Sequence, residues 1–238
     1  MKRVDNQVTK TISNLVHFLN QRGYEPGERL PSERILAERF EVTRGVIREA
    51  LMSLELMRYI QRRPNSGIFM RAEDEAETSI EALVMYSNIG IPFGHDTDLQ
   101  CLEVRRLLEV QAVRIACERR TDEDLAELTR IAEVAAHSTG DGSDLSKLDY
   151  DFHMQIFEAT QNKVLVQLVT PFYLMSEMRR ERFFRNKENF LNSHQQHLQL
   201  IDAIAARDTK AAAGLMDRHI GNVESYFGAS EDAEEFAD

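Results

Sequence analysis

The sequence has no run approaching the roughly 18 consecutive apolar residues that a membrane helix needs, so no helical membrane span is expected. The opening MKRVDNQVTK has basic residues but no apolar stretch behind them, and no secretory signal is expected either. Cysteine is scarce. Cys101 and Cys117 fall in one expected helix, too far apart along it to pair, and read as reduced core thiols of a cytoplasmic protein. No internal repeat is visible, no strand pattern follows residue 70, and the zinc-protease motif HExxH does not occur. What remains is an ordinary globular composition. The 238 residues, 42% apolar and 29% charged, suffice for two domains with real cores.

The net charge of −11 is unevenly spread. Residues 1–70 hold 12 Lys and Arg against 8 Asp and Glu, a balance of +4, and the rest holds 17 against 32, a balance of −15. A basic head on an acidic body is the asymmetry expected when one part meets phosphate and the other does not.

The head reads helix, helix, tight turn, helix, hairpin. A first helix is expected from Val4 to Arg22, ended by Gly23. Ser32 can cap a second, with Ile35, Leu36 and Phe40 on its apolar side, and Thr43 a third, with Val46, Ile47, Ala50, Leu51 and Leu54 inward. YIQRRPNSGIFM supplies two short strands around a turn composition. This is the order of a winged helix-turn-helix, whose second motif helix enters the DNA major groove. Thr43, Arg44 and Arg48 open that helix, Arg34 projects from the one before, and Arg62, Arg63 and Asn65-Ser66-Gly67 form the wing. Arginine can fork onto guanine and threonine can reach a phosphate or base edge. A merely solvated basic face is the competing reading.

The blocks GERLPSERILAERFEVTRGVIREAL and NSGIF resemble the DNA-binding domain of the GntR family of bacterial transcriptional regulators over roughly residues 5–70. The resemblance implies DNA contacts by Arg34, Arg44 and Arg48, with Thr43 and Gly67 in support. Gly45 stands where the family usually has a small hydroxyl residue or proline, which bears on base preference or one phosphate contact. Arg58 and Asn65 stand where the family has glycines, and asparagine tolerates a left-handed backbone.

Residues 71–81 are acidic and read as a linker, 82–227 as an all-helical domain, and 228–238 as an acidic, frayed tail. Pro171 is expected to kink or break a long helix from Lys163 to about Arg185. Within LDYDFHMQIFEAT, Asp149 and His153 lie four apart beside an apolar stripe of Leu148, Phe152, Ile156 and Ala159. His197 and His219 lie on two later helices. Three helices could therefore aim one carboxylate and three imidazoles at one spot, a set that suits zinc first, and also nickel or manganese. Bundles build metal sites from such inward side chains.

The same residues, in the order LDYDFH, HLQLIDAI, MDRH, resemble the FadR-type or FCD ligand-binding domain of that family over about residues 78–227. The resemblance places the four metal ligands on Asp149, His153, His197 and His219 and leaves His194 out of register. EVRRLLE matches the family's Arg-x-x-Leu-Glu, which implies Arg105 in the effector pocket with Glu109 as its partner, Arg106 being a competing candidate with a surface role. The fold expected is mainly α, a winged helix-turn-helix followed by an antiparallel helix bundle. The function expected is a cytoplasmic homodimer, not an enzyme, that binds a pseudo-palindromic double-stranded operator under control of a small carboxylate or sugar acid. A metal-dependent hydrolase fused to a DNA-binding head, and a regulator with a purely structural metal, are the alternatives.

Overall fold

A computed structural model of the chain describes residues 2–71, 79–88, 95–138 and 140–234. Two compact units divide it, Met1–Ile89 and Gly90–Asp238.

In the first unit α1 (Lys2–Arg22) buries Ile12, Leu15, Val16 and Leu19 and ends at Gly23, whose φ of 63° suits glycine. α2 (Glu33–Arg39) and α3 (Arg44–Leu56) are each capped as their sequences suggest. The Ser32 hydroxyl accepts from the Ile35 amide at 3.5 Å and the Thr43 hydroxyl from the Val46 amide at 3.4 Å. Ile35 departs from expectation. It is 47% exposed, because Leu36 and Ala37 take the inward face of this short helix.

β1 (Ile60–Arg63) and β2 (Gly67–Met70) form an antiparallel hairpin in the register Ile60↔Met70 to Arg63↔Gly67. Residues 27–30 add to its open edge, the Leu30 amide donating to the Ile68 carbonyl and the Met70 amide to the Glu28 carbonyl, both at 2.8 Å. Arg58 and Asn65, the two residues standing for family glycines, have φ of 60° and 57°. Their left-handed backbone explains why glycine suits those positions. α4 (Ile80–Asn88) belongs with this unit, so the division falls at residues 89 and 90 rather than at the expected 82. The Tyr86 ring packs edge-on against Tyr59 at 5.5 Å, a contact that no local pattern announces.

The second unit comprises α5 (His95–Arg119), α6 (Asp122–Ala136), α7 (Gly142–Glu158), α8 (Lys163–Met175), α9 (Glu177–Phe184), α10 (Lys187–Ala205) and α11 (Thr209–Glu234). Among the described residues no strand follows Met70. Thr121 and Asp124 close a reciprocal capping box on α6, and Asp141 caps α7. Gly142 lets α7 start hard against α9, since a Cβ there would stand 2.7 Å from the Glu181 carbonyl. The core gathers Val113, Phe152, Ile156, Phe157, Tyr173, Leu200 and Met216. Cys101 and Cys117 are free and buried on α5.

Three local features depart from or extend the expectations. The long helix breaks at Ser176, not at Pro171. Proline removes one amide, but α8 continues to Met175, and the turn is fixed instead by Arg180, which donates to the Tyr173 carbonyl at 2.7 Å and the Ser176 hydroxyl at 2.5 Å. α11 runs on to Glu234, past the point at which a frayed tail was expected to begin, since alanine and glutamate there favour helix. Two arginines also cross-cap the C-terminal ends of α5 and α10. Arg120 donates to the carbonyls of Ile204 and Ala205 at 3.3 and 3.0 Å, and Arg207 to those of Cys117 and Glu118 at 2.8 Å each.

Candidate metal centre and nucleic-acid interface

The start of α3 presents Thr43, Arg44, Gly45 and Arg48 to solvent, with Arg34 exposed on α2. Arg34 pairs with Glu38 at 2.8 Å and Arg48 with Glu33 at 3.4 Å, both pairs in water. Exposed pairs are worth about 1 kcal/mol or less, so these carboxylates hold the two guanidiniums only weakly. Gly67, with φ of 122°, opens β2, and a Cβ there would stand 3.0 Å from Arg29 Nε. Arg29, Arg34, Arg62 and Arg63 line one open groove of about 640 Å³ between α2 and the wing. Arg29 lies inside the GERLPSER block, where nothing in the local sequence marks it as a groove residue.

In the second unit α7 brings Asp149 and His153 inward, α10 His197 and α11 His219. All four are buried, and one ligand atom from each lies within 4.8 Å of the others. His153 Nε2 stands 3.1 Å and His197 Nε2 3.4 Å from His219 Nε2. Asp149 Oδ1 stands 3.6 Å from Nε2 of both His153 and His197. Ligands bonded at about 2.1 Å to one tetrahedral ion are separated by roughly 3.4 Å, so the spacing fits a single transition metal. The ring orientations fit as well. Gln196 Oε1 accepts from His219 Nδ1 at 2.7 Å, and Glu109 lies against His153 Nδ1, which leaves each Nε2 free to ligate. Phe152 stacks on the His197 ring at 3.9 Å.

The electrostatics keep ligands available. Burial, reinforced by His153, pushes His219 down to about 3, and burial with His219 and His153 holds His197 well below the ordinary imidazole value. Burial also works against charge on His153, but Glu109 and Asp149 outweigh it and raise that pKa. Burial would raise Asp149, yet His153, His197 and Arg105 keep it ionised far below the usual carboxylate range. His194 lies outside the cluster, stacked on Phe190 at 6.1 Å.

Arg105 is buried beside the cluster. Its Nε donates to Glu109 Oε1 at 2.5 Å and its Nη2 to the Tyr173 hydroxyl at 3.2 Å, while that hydroxyl donates to the same Glu109 oxygen. Arg106 instead bridges α5 to α11 at the surface, 39% exposed, through Asp217 at 2.8 Å and Glu224 at 3.0 Å. A cavity of about 10 Å³, room for one water, is lined by Arg105, Asp149, Ser176, Arg180, Ser193 and His219. An open groove of about 460 Å³ between α10 and α11 reaches His219 from outside past Asn192, Gln196 and Asn222. Tyr173, Gln196 and Arg180 were not anticipated from the sequence. Gln196 adjoins His197 and was findable on that ground, whereas Arg180 sits in MRRER, which reads as an exposed basic run.

A winged helix-turn-helix in one unit and an all-helical unit enclosing a polar cavity in the other define a class, the ligand-responsive DNA-binding regulators. Residues 8–70 match the family described as "Bacterial regulatory proteins, gntR family", and residues 100–222 match the FCD domain. The chain is 29% identical over 205 residues to the HTH-type transcriptional regulator LutR of Bacillus subtilis, covering 84% of this chain and 91% of that protein. It is 30% identical over 213 residues to the Uxu operon transcriptional regulator of Escherichia coli, covering 84% and 79%. It is 29% identical over 213 residues to that organism's galactonate operon transcriptional repressor, covering 87% and 90%. The chain belongs to the GntR family, with an FCD domain as its second unit, and is a transcriptional regulator rather than an enzyme.

Proposed function

We propose that the protein is a cytoplasmic homodimeric regulator whose affinity for a pseudo-palindromic operator is set by a small carboxylate or sugar acid at a metal site in the FCD domain. The convergence of four buried ligands beside a cavity that also contains Arg105 carries this reading. Asp149, His153, His197 and His219 would hold a divalent transition ion, zinc in the first place, with nickel and manganese as alternatives. When bound, that ion would supply a Lewis-acidic seat for a carboxylate. Three neutral imidazoles and one carboxylate leave a divalent ion with net positive charge, which attracts an anion. Arg105, held rigid by Glu109 and Tyr173, orients it with a charge-assisted hydrogen bond. The name of the galactonate repressor supports the sugar-acid class.

In the first unit Arg44, Arg48 and Arg34 face DNA, with Thr43 and Gly45 at the start of the reading helix and Gly67 in the wing. A two-fold dimer would set two such heads about one helical turn of DNA apart. Effector and metal act by favouring one arrangement of the pair. Elemental analysis of tag-free protein tests the reading. It is expected to return one transition-metal ion per chain, lost in Asp149→Ala, with a carboxylate response of operator binding only in the metal-loaded form. Stoichiometric metal with no such response makes the ion structural. No metal, and an unaltered response in Asp149→Ala, would refute the proposal.

A further inference from the structure

Three buried donors with no acceptor surround one cavity. Arg179 Nε, Arg180 Nε and the Ser193 hydroxyl are buried and have no partner among the described residues, and all three residues line the cavity beside Asp149 and His219. Buried donors without partners are costly, most of all charged ones, so their convergence calls for an acceptor. Of the three guanidiniums there, Arg105 is matched by Glu109 and Arg179 by Asp98. Arg180 is different. It is 6% exposed and, among the described residues, donates only to neutral groups, the Tyr173 carbonyl and the Ser176 hydroxyl. The Tyr173 and Tyr150 rings, at 5.3 and 5.6 Å, offer it partial compensation. Burial pulls its pKa down, and Asp149 is the charge that chiefly offsets this.

A metal ion at the four-residue cluster would sharpen the problem, because it would neutralise Asp149, the charge that offsets the burial of Arg180. A divalent ion beside Asp149 and Arg180 leaves two positive charges uncompensated. A monoacid cancels one of them; a diacid cancels both.

We infer that Arg180, supported by Ser193, is a second anion seat and that the effector is a hydroxylated diacid, one carboxylate at the metal and Arg105 and the other on Arg180. This rests on the metal and carboxylate site proposed above and names the ligand class within it. Phe183, Ser193, His219 and Val223 border both the cavity and the open groove, so the diacid enters along them and widens the cavity as it seats.

Calorimetric titration of the metal-loaded, full-length protein with chain-matched acids tests this. Galactarate is expected to bind at least about tenfold tighter than galactonate, and malate than 2-hydroxybutyrate, the worth of one charge-assisted contact. Arg180→Gln removes the charge and, being shorter, the bonds at the Ser176 turn as well, so the readout is the diacid-to-monoacid affinity ratio, which should fall to about one. Ser193→Ala, which removes one unpartnered hydroxyl, should erode the preference severalfold while holding or raising the melting temperature of the ligand-free protein. A monoacid that binds as tightly as its diacid, or an equal loss of both in Arg180→Gln, overturns the second seat and leaves the metal and carboxylate reading intact. No binding by any of the four acids overturns both.

Discussion

Two buried imidazoles of the four-residue cluster are held from behind, His219 by a half-buried residue and His153 by a fully buried one, and under the proposed metal reading the difference predicts how much each backing residue matters. Gln196 accepts from His219 Nδ1 at 2.7 Å, and a carboxamide oxygen can only accept, so this bond fixes the tautomer with Nε2 bare. Gln196→Ala removes the acceptor, but the residue is only half-buried and borders the open groove, so water can replace it. Backing residues of metal ligands are worth about 10- to 100-fold in affinity. With water as substitute, Gln196→Ala belongs at the lower end, about tenfold or 1.4 kcal/mol. Glu109, 1% exposed behind His153, has no such substitute, and Glu109→Gln also strips Arg105 of its counter-charge. Its loss belongs at the upper end, about 100-fold, with folding stability lowered by roughly 3–5 kcal/mol. Competition against a chromogenic chelator at fixed pH measures both. Equal losses in the two variants, or a change under twofold in Gln196→Ala, would refute the argument from solvent access.

Arg44→Ala should weaken operator binding by about 1–3 kcal/mol, with a smaller loss on random DNA; an equal loss on both would make Arg44 a phosphate contact. Gly45→Ala adds a Cβ that meets only the Thr43 hydroxyl at 3.7 Å, so thermal stability should hold or rise while operator affinity falls. Unchanged affinity would remove Gly45 from the interface. Metal-stripped protein should lose stability in acid. Because His219 titrates near 3 when folded, against an ordinary 6.5, the unfolded chain binds a proton between these values that the native state refuses. His197 acts in the same direction, whereas the raised pKa of His153 gives a contribution complete below its unfolded value and lost as pH rises. His219 alone should cost about 2 kcal/mol between pH 7 and pH 5. Urea melts at the two values measure it, and equal midpoints would contradict the burial argument.

The head was readable because its determinants are local. Ser32 and Thr43 cap the helices they precede, and the apolar spacing of Val46 to Leu54 is the face that α3 buries. The cluster of Asp149, His153, His197 and His219 was legible in part for a related reason, since an i, i+4 pair announces itself, while the two later histidines were picked out by resemblance to the FCD domain. What escaped depended on tertiary neighbours. Pro171 looked like the break, but the turn at Ser176 is made by a guanidinium seven residues beyond Tyr173. Arg180 sits in a run as charged as any surface helix, and only the packing of α9 shows that its side chain is inside. The membership of α4 in the first unit rests partly on two tyrosine rings 27 positions apart, Tyr59 and Tyr86.

The crossed arginines at the ends of α5 and α10 have a mechanical meaning. Arg120 and Arg207 tie the last carbonyls of both helices together, so that end of the bundle is a fixed pivot. Arg105 lies 15 residues from Arg120 along α5, an arm of roughly 22 Å at 1.5 Å per residue. The other end of α5 is held differently, by side-chain charge and not by capped carbonyls, through the pairs of Arg106 with Asp217 and Glu224 and of Arg179 with Asp98.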